Sequence, residues 1–275
     1  MPGPFAGPTV REALDSALIA LEASGSGTPR LDAEVLLAHA LGASRAALYA
    51  DPDRAVEGDA ARAFRDLVRR RSVERAPVAY LVGRKGFRHL DLDVDPRVLV
   101  PRPETELLVE VGLTLPQGAR VVDVGTGSGA VALALKHERP DLEVTGTDVS
   151  ADALAVAGAN ARRLGLDVAF TETDLFDGAP DAVLSNPPYV ADGDPLPPDV
   201  VHHEPTGALF AGADGLDVVR RLVARCAEAG VPFVAVEVGA GQADAVGTLF
   251  SAAAFASVST RRDLAGIERV VVATA

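Results

Sequence analysis

Ser185, Asn186, Pro187, Pro188 and Tyr189 make the most chemically specific run in the sequence. Two successive prolines fix φ and remove two backbone N–H donors, so the segment offers rigid carbonyls that can only accept. A primary amide or an exocyclic amine carries two N–H donors. The Asn186 side-chain oxygen and the Pro187 carbonyl can receive both, with Tyr189 packed on the planar group. Such a grip aims the amine nitrogen at a neighbouring electrophile. Asn-Pro by itself is also an ordinary turn dipeptide, and the residues around it give it its meaning.

A second run sets Val121, Val122, Asp123 and Val124 directly before Gly125, Thr126, Gly127, Ser128 and Gly129. A buried strand entering a Gly-rich turn and then a helix forms a nucleotide-type pocket. Gly125 and Gly127 permit a tight turn and close approach of a ligand to the main chain, and Gly129 lets the helix pack against the strand. The spacing is GxGxG rather than the GxGxxG of dinucleotide binders, and the Gly-Lys-Ser/Thr ending of a phosphate-binding loop is missing. Thr145, Gly146, Thr147 and Asp148 close the next predicted strand. Asp148 either accepts two hydrogen bonds from a ribose diol or caps the helix starting at Ser150. Asp174 and Leu175 close the third, where the carboxylate takes a purine amine and the leucine packs on its face, or where Asp174 is a turn residue.

For these residues to act together, several strand ends must meet. Residues 120–124, 143–147, 168–172 and 182–185 read as strands, with helices over 128–137 and 151–164 between them. Helices over 215–229 and 242–250 and strands over 233–238, 256–260 and 269–273 follow. Alternating β and α predicts an α/β fold with a doubly wound, mostly parallel sheet. Ahead of it, Thr9 caps a helix with Val10, Leu14, Leu18 and Leu21 on one face, ending near Gly25. A second helix, over 32–41, stops at Gly42. A third, over 58–74, carries Phe64, Leu67 and Val68 on one side; Arg62, Arg65, Arg69, Arg70, Arg71 and Arg75 on the other read as a solvated face. Residues 1–8 are rich in Pro and Gly and are expected to fray. Residues 86–100 alternate as a two-stranded ribbon does. The expected organisation is a helical substrate-recognition domain over 1–82, a β-hairpin connector over 83–102 and a catalytic domain over 103–275.

Composition excludes several classes. With 48% hydrophobic residues, the chain can build a core. The formal net charge of −13 is unevenly spread: residues 1–90 hold 13 Lys and Arg against 11 Asp and Glu, and the remainder 13 against 28. An α/β half this acidic lacks an evident phosphate track, which argues against nucleic acid as partner. No run of eighteen apolar residues exists to span a membrane. The single cysteine, Cys226, forms no internal disulfide. The first twenty residues carry Pro, Glu and Asp where a secretory leader needs a basic start and an apolar run, so a reducing cytoplasm is expected. His202 and His203 are adjacent and do not converge on one ion, so no metal site is assigned. His39 and Cys226 read as packing residues.

The strand-turn-helix with GTGSG, the acid at 148 and the NPPY at a strand end resemble methyltransferases that use S-adenosylmethionine to methylate planar nitrogen. A narrower resemblance rests on Val100, Pro101, Arg102, Pro103, Glu104, Thr105 and Glu106, on Asp32, Ala33, Glu34, Val35, Leu36 and Leu37, and on Glu204 with Pro205. Together with NPPY these are similar to the (I/V)PRPETE, DAExLL and EP segments of the protein-(glutamine-N5) methyltransferases that modify peptide chain release factors. The likeness covers roughly residues 30–273. It implies a Rossmann-like class I methyltransferase fold and methylation of a glutamine in the release-factor GGQ motif, tuning translation termination. It also implies a monomeric cytoplasmic enzyme, with S-adenosylhomocysteine as the second product. Carried over, Gly125 to Gly129 contact the methionine part of the donor, Asp148 the ribose, and Asp174 with Leu175 the adenine. Asn186, Pro187, Pro188 and Tyr189 hold the glutamine, with Asn186 also near the donor and Asn186, Pro187 and Tyr189 in the catalytic role. The edge Glu237, Val238, Gly239 departs from relatives that often place an acid or His before the Gly, and Arg102, Glu104 and Thr105 serve either as a lid or as a helix cap.

An amide nitrogen is a weak nucleophile because its lone pair is delocalised, so the implied enzyme works by placement, and aligning two reactants is worth roughly 7–11 kcal/mol. No general base is required, because the proton becomes acidic once the nitrogen is methylated. Two enzyme alternatives use the same grip: glutamine methylation of a ribosomal protein and adenine-N6 methylation of nucleic acid. A silent adenosine-binding module is a third reading, against which the intact NPPY argues.

Overall fold

Residues 7–275 are described by the computed structural model, so the expectation for the opening residues falls outside it for positions 1–6. The chain divides into two units. One holds the N-terminal residues through Gly83 together with Pro197–His203; the other holds Arg84–Leu196 and Glu204–Ala275.

In the first unit, α1 (Val10–Ala23) opens on a capping box, in which the Thr9 hydroxyl accepts from Glu12 N–H and the Glu12 carboxylate accepts from Thr9 N–H. Helix α2 (Pro29–Leu41) ends at Gly42, whose φ of 59° is the left-handed conformation glycine takes without strain. Short α3 (Arg45–Ala50), α4 (Gly58–Ser72) and α5 (Val78–Val82) follow. Val10, Leu14, Leu21, Leu36, Leu37, Phe64 and Leu67 share one core. The predicted arginine face of α4 is corrected at Arg71. Only 8% exposed, it donates to Asp32 at 2.8 Å and to Asp199 at 3.3 Å. The helical period gave its side but not its carboxylate partners, one of which comes from 128 residues away. Arg75 also pairs with Asp199, at 4.0 Å, and its Nε is buried without a hydrogen bond.

The second unit begins with an antiparallel hairpin, β1 (Arg84–Phe87) and β2 (Leu90–Asp93). A 3₁₀ turn (Pro103–Thr105) leads into α6 (Glu106–Gly112). Then come β3 (Arg120–Val124), α7 (Ala130–Glu138), β4 (Glu143–Asp148), α8 (Ala151–Leu164), β5 (Ala169–Glu172) and β6 (Ala182–Ser185). After α9 (Pro198–Val201), which belongs with the helical unit, α10 (Asp217–Ala229), β7 (Phe233–Glu237), α11 (Ala243–Ala252), β8 (Ser257–Arg262) and β9 (Glu268–Thr274) complete the chain.

The sheet order is β5-β4-β3-β6-β7-β9-β8, with β9 antiparallel to both neighbours and the other pairings parallel. Strand β3 connects outward to β4 on one side while β6 flanks it on the other, so the winding reverses at the β3/β6 boundary. At that boundary the carboxyl ends of parallel strands leave a crevice for a ligand. The core strands are buried on both faces, as Val183, Leu184, Val234, Ala235 and Val236 are fully enclosed.

Candidate functional site

Register alone brings the candidate residues level. Val124 pairs with Thr147 on β4 and with Ser185 on β6, and Ser185 pairs with Val236 on β7. One residue further along each strand stand Gly125, Asp148, Asn186 and Glu237. A cavity of about 420 Å³ opens there, lined by Gly125, Gly127, Asp148, Asp174, Leu175, Asn186, Pro187 and Pro188 among others. Its volume lies in the range of small-ligand sites.

The glycine loop is built from beneath. Thr147 carbonyl accepts from the N–H groups of Gly125 and Thr126 at 2.8 and 2.9 Å. Buried Asp123 accepts from the Thr126 hydroxyl at 2.6 Å and from Ala132 N–H at 3.2 Å. Burial pushes this carboxyl up to about 6, with Asp148 adding to the rise and the two hydrogen bonds opposing it. Gly125 and Gly127 have φ of 71° and 56°, and a Cβ on Gly127 would meet no atom within 4 Å, so the main chain is bare there. Gly129, at φ 83°, serves packing instead. Its Cβ would lie 2.9 Å from Leu133 of α7 and 3.3 Å from Ala157 of α8, so the lack of one makes room for these two side chains rather than for contact with the strand. Thr126, Ser128 and Gly129 are buried and are not among the residues lining the cavity; they shape the loop.

Asp148 accepts from Gly127 N–H at 3.0 Å and from Ser150 N–H at 2.9 Å, while Ser150 itself caps α8 through Ala153 N–H. Its carboxylate retains lone pairs toward the cavity. Asp174 is exposed and ion-paired with Arg221, which also lines the cavity, and Leu175 holds a left-handed φ of 65°.

At the adjacent strand end, Asn186 donates from Nδ2 to Thr105 Oγ1 at 3.0 Å. The carbonyl of Tyr189 accepts from Gln242 Nε2 at 2.9 Å, and Gln242 Oε1 accepts from Gly239 N–H at 2.9 Å. A Cβ on Gly215 would lie 2.3 Å from that carbonyl, so the loop after Tyr189 is closely clasped. Tyr189 does not line the cavity. Burial, with Glu237 nearby, pushes its phenol up to about 12 and keeps it neutral. Arg102 pairs with buried Glu204, which also accepts from Val100 N–H at 3.2 Å. Thr105 makes no side-chain cap on α6. The 100–106 segment is therefore a buttress for Asn186, tied down by Glu204. Sequence reasoning left Glu237, Gln242 and Arg221 without roles. The Glu237-Val238-Gly239 strand end is the visible signal for Glu237 and for Gln242, which binds Gly239 N–H; Arg221 has none.

Among the described residues, no three His, Cys, Asp or Glu side chains group to hold a metal ion. His203 instead sets Nε2 2.8 Å from the Glu74 carbonyl. No helix among the described residues is long and apolar enough to cross a membrane.

Residues 12–83 match the PrmC N-terminal domain model and residues 103–203 the methyltransferase small domain model. A release factor glutamine methyltransferase of Geobacter sulfurreducens is 40% identical over 272 residues, covering 96% of this chain and 95% of that protein. One of Mycolicibacterium smegmatis is 41% identical over 278 residues, covering 96% and 97%. The crystal structure of a methyltransferase from Pyrococcus furiosus, 17% identical, superposes with a TM-score of 0.53 over 69% of this chain and 91% of that one, a likeness of fold. With such identity along nearly the whole of both chains, this protein belongs to the release factor glutamine methyltransferase family.

Proposed function

We propose that the protein transfers a methyl group from S-adenosylmethionine to the side-chain amide nitrogen of a glutamine in a peptide chain release factor, in the cytoplasm where release factors work. The observation that carries this reading is the placement of Asn186, its amide held by Thr105, beside the bare backbone of Gly125 on one cavity edge. The cavity residues fit an adenosyl donor: open main chain at Gly125 and Gly127, an accepting carboxylate at Asp148, and apolar walls from Val124, Val149 and Leu175. When bound, that donor supplies an electrophilic sulfonium methyl.

The chain's own residues do the rest. Asp148 holds the ribose, and Asp174 with Leu175 meets the adenine end. The Asn186 side-chain oxygen and the Pro187 carbonyl accept the two N–H groups of the glutamine, which fixes the nitrogen and builds negative character on it. Pro187 and Pro188 both line the cavity and neither carries a backbone N–H, so this stretch brings acceptors and no competing donor. Tyr189, clasped by Gln242, packs behind the amide. The helical unit is read as the part that engages the protein substrate.

The test is transfer of labelled methyl from S-adenosylmethionine to purified release factors, ribosomal protein and DNA in parallel, with mass mapping of the product. Label on a release-factor glutamine is expected, and label on DNA alone would sink the reading. Asn186→Ala should abolish transfer while donor binding, followed by calorimetry, stays within a few-fold of the parent.

A further inference from the structure

At the row of strand ends, Glu237 is the ionisable group to which the proposed reaction gives no role. It is 1% exposed and its Oε2 is buried without a hydrogen-bond partner. The groups facing it come from four segments: Arg102, Glu104 and Thr105 before α6, Tyr189 after β6, Arg269 on β9, and its own strand β7. Thr105, itself 5% exposed, stands between two partners. Its oxygen receives Asn186 Nδ2–H at 3.0 Å, and its hydroxyl is near enough to the Glu237 carboxyl to favour the ionised form.

We propose that Thr105 and Glu237 are positioning residues that set which way the Asn186 side-chain amide faces. The inference rests on Asn186 being the residue that grips the substrate amide. A hydroxyl carries one proton and donates it once. With Glu237 ionised, that proton goes to the carboxylate, so Thr105 Oγ1 must accept. Asn186 then turns Nδ2 toward it and leaves Oδ1 for a substrate N–H. With Glu237 protonated, its O–H donates to Oγ1 and the threonine proton turns to Asn186. The amide is then drawn round to present Oδ1 to Thr105 and Nδ2 to the substrate, and two donors face one another. The ionised form also polarises the whole chain of bonds and makes Oδ1 the better acceptor. Burial first, and Glu104 after it, push the Glu237 carboxyl up to about 7 against the Thr105 hydroxyl and the Arg269 and Arg102 charges. The switch between the two arrangements therefore falls near neutrality.

The experiment uses the full chain as wild type, Thr105→Val, Thr105→Ser, Glu237→Gln and the Thr105→Val/Glu237→Gln pair. Each is assayed with S-adenosylmethionine and a purified release factor from pH 6 to pH 9. Wild-type kcat should rise about tenfold between pH 6 and pH 8, as a group near 7 ionises. Glu237→Gln should flatten the profile and lower kcat at pH 8 about tenfold, with donor Kd unchanged. Thr105→Ser should restore what Thr105→Val loses, and the pair should be no worse than the poorer single variant. Independently of turnover, the Asn186 side-chain amide protons, identified by their loss in Asn186→Ala, should shift with a midpoint near pH 7 in wild type and not in Glu237→Gln. Amide resonances indifferent to pH, or titrating alike in both proteins, overturn the proposal, as does a Glu237→Gln enzyme with wild-type kcat throughout. If the wild type methylates no release factor, the proposed function fails, and the amide resonances still decide the relay.

Discussion

Asp123→Asn should stabilise the protein at alkaline pH relative to its effect in acid, by an amount the burial of Asp123 sets. The carboxyl is 2% exposed and its folded-state value is raised from 3.8 to about 6, chiefly by burial. A carboxyl raised on folding binds its proton more tightly in the native state, so its contribution is fully present below 3.8 and declines as pH climbs through about 6. At 1.36 kcal/mol per pKa unit the whole decline is about 3 kcal/mol. About half of it, roughly 1.4 kcal/mol, falls between pH 5 and pH 8, because the unfolded chain has already ionised in part at pH 5. Asparagine has nearly the same shape and cannot ionise.

Urea titrations of wild type and Asp123→Asn, followed by far-UV circular dichroism at pH 5 and pH 8, give four unfolding free energies. Taking the variant-minus-wild-type difference at each pH removes any constant effect of a poorer hydrogen bond to Thr126 or Ala132. That difference should move by about 1.4 kcal/mol in favour of the variant on going from pH 5 to pH 8. A difference that does not change with pH, or that moves the other way, refutes the claim that Asp123 is held by the glycine loop at the expense of its charge.

Two further outcomes rest on single side chains. Asp148→Ala removes the acceptor for Gly127 and Ser150 N–H groups and the proposed ribose contact, so donor Kd should weaken tenfold or more by calorimetry while the fold persists; unchanged affinity would leave Asp148 only its loop-shaping role. Arg71→Ala strands the carboxylates of Asp32 and Asp199, and removing one partner from so buried a pair costs about 3 kcal/mol. Urea unfolding should show this loss in the helical unit, and KM for the release factor should rise with donor Kd unaltered.

The local features were legible in the sequence. The Thr9 cap, the Gly42 stop, helix α8 and strand β6 stand where composition and period put them, because each is decided by neighbours within a few residues. What escaped was long-range. Arg71 lies on the polar side of α4 by period, yet its burial is set by Asp32 and Asp199. Thr105 looks like a helix-capping residue and instead receives Asn186 from 81 residues downstream. Motifs named Asn186 and Asp148 because their chemistry is local to a loop. They could not place Glu237 near Thr105, since nothing within β7 reveals which turn will cover its end.

Sheet order then sorts the chemistry. Across β4-β3-β6-β7 the row reads Asp148, Gly125, Asn186, Glu237, with the donor-side carboxylate at one end and the buried carboxyl at the other. Neighbouring strands lie about 4.8 Å apart, so three steps separate Asp148 and Glu237 by about 14 Å. The charges that chiefly move the Glu237 carboxyl are those of Glu104, Arg269 and Arg102 rather than that of Asp148. On the proposed reading the two carboxyls have separate tasks: Asp148 sets how tightly the donor sits, and Glu237, through Thr105, how the amide is held. A donor affinity insensitive to pH around 7, beside a turnover that is sensitive there, is the signature this spacing requires.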